Sequence, residues 1–201
     1  MSTVDKYGTG QDPDCYRGTS ILKNLLGIKD LGSLEDAERE ITALAATEID
    51  FSPPPYHLDY LCSIHETLFQ DIYGWAGRLR TIDISKGATR FCNVNRIEAE
   101  AVKIFARLAD ENYFEGLDKG HLVSKVAELY SDINMLHPFR EGNGRAQRVF
   151  FEHMIVNAGF EISWEPISQD EWLTANIAAA ACEYGPMEAV FERCIGSEIA
   201  V

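Results

Sequence analysis

One segment of this chain concentrates groups that can bind a phosphate and accept a proton. It reads His137-Pro138-Phe139-Arg140-Glu141-Gly142-Asn143-Gly144-Arg145-Ala146-Gln147-Arg148. It contains an imidazole, a carboxylate, two glycines flanking an asparagine, and a pair of arginines three positions apart. A nucleotide phosphate site with its own proton acceptor needs this set of groups.

The glycines and the paired arginines predict an anion cradle. Gly142 and Gly144 can adopt backbone angles closed to other residues, and they stand where a loop enters a helix. The first N–H groups of a helix lack internal partners and point outward with the positive end of its dipole. Arg145 and Arg148 share a helix face and can grip a polyphosphate through forked hydrogen bonds. The amide of Asn143 can donate to a phosphate oxygen.

The other groups of the segment predict a cation and a base. Glu141 fits beside phosphates when a divalent cation lies between them, since Mg²⁺ binds one or two carboxylates together with phosphate oxygens. A neutral imidazole at His137 can take a proton from an attacking hydroxyl group. Phe139 is apolar inside a polar loop, and we expect it to be buried and to pin the loop to the core.

The elements that position this segment are predicted to be mostly helices. Ser33 can cap a helix that ends near Ala46, with Glu35 and Asp36 in its first turn. After the prolines at 53–55, apolar residues at helical spacing predict a helix from His57 to about Tyr73. Further helical patterns cover about 97–108, 122–136, 145–158, 169–183 and 186–194. The histidines elsewhere show no ligand spacing, and we expect His65 and His153 to be core or boundary residues.

A single hairpin interrupts the predicted helices. Residues 81–85 alternate in polarity, Lys86-Gly87-Ala88 can turn, and residues 89–92 can return. The predicted fold class is therefore all-α with one small β-hairpin. We expect a single domain over residues 1–201, with a core at about 53–187 and an N-terminal arm and helix at 1–52.

Composition and charge exclude several classes of function. The net charge of −14 would repel a nucleic-acid backbone and an anionic membrane surface. No apolar run could span a bilayer, and the N-terminus lacks the pattern of a signal peptide, so we expect a cytoplasmic protein. The five cysteines include no Cys-x-x-Cys pair, which argues against a zinc site or a disulfide framework. No Walker pattern occurs, which argues against a P-loop enzyme.

The segment at 137–148 resembles the signature of the Fic family, His-x-Phe-x-Asp/Glu-Gly-Asn-Gly-Arg-x-x-Arg, and fills every fixed position. The similarity runs from about Pro53 to Met187. It includes Gly74-Trp75-Ala76-Gly77 and the hairpin at Ile84-Ser85-Lys86-Gly87, which is similar to the flap that clamps target peptides in that family. The resemblance implies a helical domain that transfers a nucleotide monophosphate, usually AMP from ATP, to a hydroxyl side chain of a target protein.

The resemblance also implies roles for individual residues. His137 removes the proton of a Tyr, Thr or Ser hydroxyl group, whose oxygen attacks the α-phosphate while pyrophosphate leaves. Glu141 holds Mg²⁺. Nucleotide contacts are expected from the loop and the flap, namely Lys86, Gly87, Arg140, Glu141, Gly142, Asn143, Gly144, Arg145 and Arg148. A Doc-like branch carries lysine where Gly144 stands and acts as a kinase, so Gly144 favours AMP transfer, with UMP and phosphocholine left open as donors.

Many Fic proteins carry an inhibitory helix with the pattern Ser/Thr-x-x-x-Glu-Gly/Asn, whose glutamate pairs with the second signature arginine, here Arg148. In this sequence only Ser124 has a glutamate four residues later, at Glu128, and Leu129 follows it. The chain thus resembles the toxin–antitoxin subclass, in which a small antitoxin supplies the helix and the toxins modify DNA gyrase and topoisomerase IV. Two alternatives stay open: a module that binds a nucleotide or partner without turnover, and kinase-type transfer.

Overall fold

The computed structural model describes residues 12–87 and 89–200, which form a bundle of α-helices. The helices are α1 (Leu31–Ala46), α2 (Leu58–Phe69), α3 (Ile97–Asp110), α4 (Lys119–Leu136), α5 (Asn143–Asn157), α6 (Gln169–Ala179) and α7 (Gly185–Cys194). Two short antiparallel pairs accompany them, β1 (Ser85–Lys86) with β2 (Thr89–Arg90) and β3 (Phe160–Ile162) with β4 (Ile195–Glu198). Across the described residues, no helix is long and apolar enough to cross a lipid bilayer.

Helices α4 and α5 lie at the centre of the bundle. α4 contacts α3, α5, α6 and α7, while α5 contacts α2 as well as β3. α4 buries residues over more than half of its circumference, among them Leu122, Tyr130 and Ser131, as a helix with several neighbours must. Phe150 and Phe151 of α5 are fully buried and pack edge to face with ring centroids 5.4 Å apart. The loop that joins these two helices is therefore anchored at both ends in the core.

The predicted fold class is confirmed, while several helix ends differ from the prediction. α1 begins at Leu31, before Ser33, because the side chain of Asp30 caps it by accepting the N–H of Ser33. α2 ends at Phe69, ahead of the break at Gly74-Trp75-Ala76-Gly77. α6 ends at Ala179, since Cys182 adopts a left-handed conformation that a helix cannot contain.

The predicted hairpin is present and shorter than expected, with Ser85 opposite Arg90 and Lys86 opposite Thr89. Ala88, which we assigned to its turn, lies outside the described residues, as do residues 1–11 of the predicted arm. The pairing of β3 with β4 was not predicted. These strands are short and distant in the sequence, so neither local periodicity nor a turn signal marks their pairing.

Candidate active site

The loop between α4 and α5 carries the predicted site. His137 follows the last residue of α4 as its C-cap and adopts a left-handed conformation with φ of 45°. Glycine usually occupies such a position, and a side chain held there is a common feature of functional sites. Gly142 caps the start of α5, also in a left-handed conformation, with φ of 78°. Two left-handed residues therefore frame residues 137–142.

The ring of His137 is held in one orientation and in one tautomer. Its Nδ1 lies 3.2 Å from the carbonyl oxygen of Asn134, and because a carbonyl only accepts, Nδ1 carries the proton and Nε2 keeps a lone pair. Phe91 stacks on the ring with centroids 3.7 Å apart. Burial, aided by the positive charges of Arg80 and Lys86, lowers the pKa of His137 to about 4. The ring is therefore neutral at pH 7 and can accept a proton at Nε2.

Arg80, a residue without a motif signal in the sequence, holds this loop to the base of the hairpin. It is 4% exposed. Its Nε donates to the carbonyl oxygen of His137 at 2.8 Å, and its backbone N–H donates to that of Pro138 at 2.9 Å. Its two terminal nitrogens donate to the carbonyl oxygens of Ile82, before β1, and Cys92, after β2. One guanidinium therefore fixes the loop and the hairpin relative to each other.

The side chain of Asn143 braces the loop from inside. Its Oδ1 accepts the N–H of Phe139 at 2.9 Å, and its Nδ2 donates to the carbonyl oxygen of Phe139 at 2.8 Å. Asn143 is 3% exposed, and these two bonds give its amide a bracing role, while the phosphate contact expected of it stays a prediction. Phe139 is fully buried, as expected, and stacks on His65 with centroids 3.9 Å apart.

His65 joins α2 to the loop. Its Nε2 lies 2.9 Å from the carbonyl oxygen of Glu141, and its Nδ1 lies 2.9 Å from the N–H of Gly77. Nε2 must donate and Nδ1 must accept, so the ring is neutral with both nitrogens satisfied. His65 is fully buried, as we expected for a core residue, and burial lowers its pKa to about 4. A proton on Nδ1 would break the bond from Gly77.

We expect His65 to make the folded protein sensitive to acid. Below pH 6.5 the unfolded chain takes up a proton that the folded ring, with a pKa of about 4, does not. The free energy of unfolding therefore decreases as the pH is lowered through that window. From this residue the decrease is about 2 kcal/mol between pH 7 and pH 5. Denaturant unfolding of the wild type and of His65→Gln at each pH will measure the difference. The surface substitution His121→Gln serves as the control, and a wild-type-minus-His65→Gln difference that is constant with pH would contradict the expectation.

The two glycines of the segment have different surroundings. A Cβ added at Gly142 would lie 2.3 Å from atoms of the Phe69 ring, so both the backbone and the packing require glycine there. At Gly144 the same addition would meet nothing within 4 Å. No side chain caps the start of α5, while the N–H of Arg145 donates to the carbonyl oxygen of Gly142. The amides of Asn143 and Gly144 are therefore the ones in this turn that suit an anion.

The two signature arginines diverge, although their spacing predicted a shared grip. Arg145 donates through Nη2 to the carboxylate of Glu38 on α1, and its guanidinium carbon lies 4.7 Å from the ring centroid of Phe69. Arg148 is exposed and reaches toward α6, with its guanidinium carbon 5.5 Å from the ring centroid of Trp172. Arg145 is thus fastened to the bundle, while Arg148 lies at the surface.

Arg140 turns toward the N-terminal segment, and its assignment as a nucleotide contact stays a prediction. Its side chain is buried and forms ion pairs with Asp12 and, at 3.8 Å, with Asp14. Both partners lie before α1, so Arg140 fastens that segment to the loop. A guanidinium compensated by two carboxylates inside the protein has little attraction left for a phosphate.

Glu141 is the carboxylate closest to the start of α5. Its Oε1 accepts the N–H of Gly142 at 3.1 Å, and the residue is half-buried. Within residues 12–87 and 89–200, no three His, Cys, Asp or Glu side chains come together in a way that could hold a metal ion. This donor set fits a cation that takes its remaining ligands from phosphate oxygens and water, as Mg²⁺ does, and does not fit a cation held by protein groups alone.

The hairpin lies beside the catalytic loop. Phe91, which follows β2, stacks on His137, and the charge of Lys86 in β1 is close enough to lower the pKa of that ring. Lys86 and Gly87 are exposed. The structure thus places the predicted flap residues beside the loop of His137, at an exposed surface.

Comparison with known proteins gives one family. The Fic/DOC family matches residues 55–155. A probable protein adenylyltransferase Fic of Salmonella typhimurium is 42% identical over 191 residues, which cover 95% of this chain and 96% of that protein. The crystal structure of the BepC protein from Bartonella tribocorum with bound AMPPNP superposes with a TM-score of 0.87 at 28% identity, covering 92% of this chain and 97% of that one. A Fic domain from Bartonella quintana with bound ADP gives 0.84 at 30% identity, covering 92% and 95%.

Proposed function

The chain belongs to the Fic/DOC family, and we propose that it is a protein adenylyltransferase that moves AMP from ATP to a Tyr, Thr or Ser hydroxyl group of a target protein. The observation that carries this proposal is the tautomer of His137, whose Nε2 keeps a lone pair at one end of the loop. The uncapped start of α5 lies at the other end. A base and an anion site joined by one short loop suit the attack of a hydroxyl group on a bound phosphate.

In this reaction His137 takes the hydroxyl proton on Nε2 while the oxygen attacks the α-phosphate in line. The bond between the α-phosphorus and the bridging oxygen breaks, and pyrophosphate leaves with that electron pair. A pKa of about 4 keeps the ring neutral before the nucleotide arrives. The charge of the bound phosphates favours the imidazolium form and raises that pKa, so the ring becomes a stronger base once the nucleotide is in place.

The phosphates lie, in this proposal, at the first amides of α5, at Asn143 and Gly144. Arg145 and Arg148 approach from different sides and stabilise charge on the leaving pyrophosphate. Glu141 would hold Mg²⁺ against the phosphates, and the cation, when bound, neutralises charge that develops on the leaving group. The hairpin receives the target by main-chain pairing beside Lys86 and Gly87, which would hold the hydroxyl group near His137.

The proposal is tested by label transfer. The chain is mixed with Mg²⁺, a bacterial lysate and ATP that carries label on either the α- or the γ-phosphate. We expect α-label on a protein and no γ-label, and His137→Ala as the parallel control should leave the lysate unlabelled. Transfer of γ-label would indicate a kinase, label from UTP alone would indicate another donor, and binding of ATP without any transfer would indicate a binding module.

For regulation, we propose that the chain is the toxin of a toxin–antitoxin pair. The only Ser-x-x-x-Glu pair in the sequence lies on α4, where Ser124 donates to Glu188 and Glu128 lies 3.4 Å from Arg107, so both residues serve other contacts. Arg148, the partner expected for an inhibitory glutamate, is exposed and open to a second protein. The proposed targets are subunits of DNA gyrase and topoisomerase IV. Growth arrest on expression, relieved by a small partner protein, would support the pair; harmless high-level expression would contradict it.

We also infer that the chain forms one domain. A single hydrophobic cluster includes Cys15 near one end and Ile195 near the other, together with the buried faces of the helices between them. Limited proteolysis should therefore yield no stable fragment that separates residues 12–52 from the rest.

A further inference from the structure

A side chain outside the region matched by the family reaches into the site. The matched region begins at residue 55, whereas α1 covers Leu31–Ala46. From α1, the carboxylate of Glu38 accepts a hydrogen bond from Nη2 of Arg145, and the hydroxyl of Thr42 lies 3.4 Å from Nη1 of the same arginine. Arg145, the first signature arginine, is therefore bound to α1, a helix that contains no residue of the signature.

The carboxylate of Glu38 is itself held in place. Glu38 is 8% exposed. Its second oxygen accepts the hydroxyl proton of Tyr73, which is buried and stacks on Trp75 with ring centroids 4.3 Å apart. Burial, and then the bond to Glu38, raise the pKa of Tyr73 far above its ordinary value, so the hydroxyl stays a donor. Both oxygens of the carboxylate are thus committed, and the group cannot turn.

This arrangement removes the freedom of Arg145 before any ligand arrives. A long side chain loses rotamer entropy when a ligand fixes it, and a side chain that is already fixed does not lose that entropy again. Glu38, Thr42 and the face of Phe69 together fix the guanidinium. Arginine has five N–H donors, and these contacts leave some of them for an anion.

We propose that Glu38 is a positioning residue for nucleotide transfer: through Arg145 it pre-orients the donors that bind the β- and γ-phosphates of the triphosphate. The inference rests on the proposed function and adds α1 to the site. The role differs from that of an inhibitory glutamate, which pairs with the second signature arginine, because Glu38 pairs with the first, Arg145, while Arg148 lies over the ring of Trp172.

Two substitutions separate geometry from charge. Glu38→Asp keeps the charge and shortens the side chain, so it cannot reach both Tyr73 and Arg145. Glu38→Gln keeps the shape and removes the charge. Glu40→Gln, an exposed position on the same helix, is the matched control. Calorimetry with ATP and with AMP, both with Mg²⁺, measures the binding of each nucleotide by the full chain, and label transfer measures turnover.

We expect Glu38→Asp to weaken ATP binding by about tenfold, the effect of one misplaced charge-assisted contact, and to change AMP binding by less than about twofold. Glu38→Gln should retain most of the ATP affinity, because the amide oxygen can still accept from Arg145 while the NH2 group donates to the hydroxyl oxygen of Tyr73. If Glu38→Asp does not fold, Tyr73→Phe, which releases one carboxylate oxygen, should also weaken ATP more than AMP.

Three results would overturn the inference. They are unchanged ATP binding in Glu38→Asp, an equal loss of AMP and ATP binding, and tighter ATP binding in Glu38→Gln, which would show that the carboxylate acts only by its charge. Calorimetry measures nucleotide binding without any transfer reaction, so these results can be distinguished from a failure of the proposed function. That function fails if the wild type binds ATP and labels no protein.

Discussion

His137→Ala is expected to abolish transfer of AMP to protein and to leave ATP binding within about twofold of the wild type. A general base contributes about 10²- to 10⁴-fold to a rate, and the ring of His137 is the neutral proton acceptor at this loop. In the proposed function the phosphates contact the start of α5, and the substitution removes no group there. Initial rates of α-label transfer, compared with ATP titrations by calorimetry, will measure both effects.

The control for this variant must be a residue that tolerates the left-handed backbone conformation of His137. His137 has φ of 45°, and alanine is less tolerant of that conformation than asparagine. His137→Asn keeps a polar side chain in the left-handed region and still lacks a suitable base. We expect both variants to lose transfer, with His137→Asn closer to the wild type in melting temperature. Transfer at the normal rate by either variant would show that another group accepts the proton.

Gly142→Ala is expected to lower the free energy of unfolding by about 3 kcal/mol and the melting temperature by about 10 °C. Alanine at a left-handed position costs about 1–2 kcal/mol, and overpacking a buried ring costs about 1–3 kcal/mol more. Both apply here, because φ is 78° and the new methyl group would lie 2.3 Å from the fully buried ring of Phe69. Thermal unfolding followed by circular dichroism will measure the change.

Gly144→Ala is the same chemical change two residues later and should behave differently. Its Cβ meets nothing within 4 Å, and alanine is favoured over glycine inside a helix, so stability should be unchanged or higher. The methyl group enters the space beside the first amides of α5, so ATP binding should weaken without any loss of fold. Equal destabilisation by the two substitutions would contradict the packing described for Gly142.

The catalytic segment could be predicted because its groups are neighbours in the sequence. A base, a carboxylate, two glycines and three arginines lie within twelve residues, so their combined chemistry can be read without knowledge of the fold. The side chains that hold this segment could not be predicted in the same way. Arg80, His65 and Glu38 reach it from 57, 76 and 107 positions away, and each alone looks like an ordinary charged or core residue.

The orientations of the arginine side chains also could not be predicted from the sequence. Helical spacing placed Arg145 and Arg148 on one face, yet partners on α1 and α6 draw them apart. Arg140 is assigned to the nucleotide for its place in the loop, and its ion pairs with Asp12 and Asp14 are contacts that the sequence did not indicate. Hydrophobic periodicity predicts which face of a helix or strand is buried. It does not predict which carboxylate, distant in the sequence, forms an ion pair with a given arginine.

The bonds of Arg80 have a mechanical consequence. The same side chain donates to Ile82 and Cys92, at the two ends of the hairpin, and to His137. The hairpin therefore cannot swing as a rigid body without stretching the bond to the residue that carries the proton acceptor. Under the proposed function, a target that displaces the strands on docking would therefore also displace the backbone of His137.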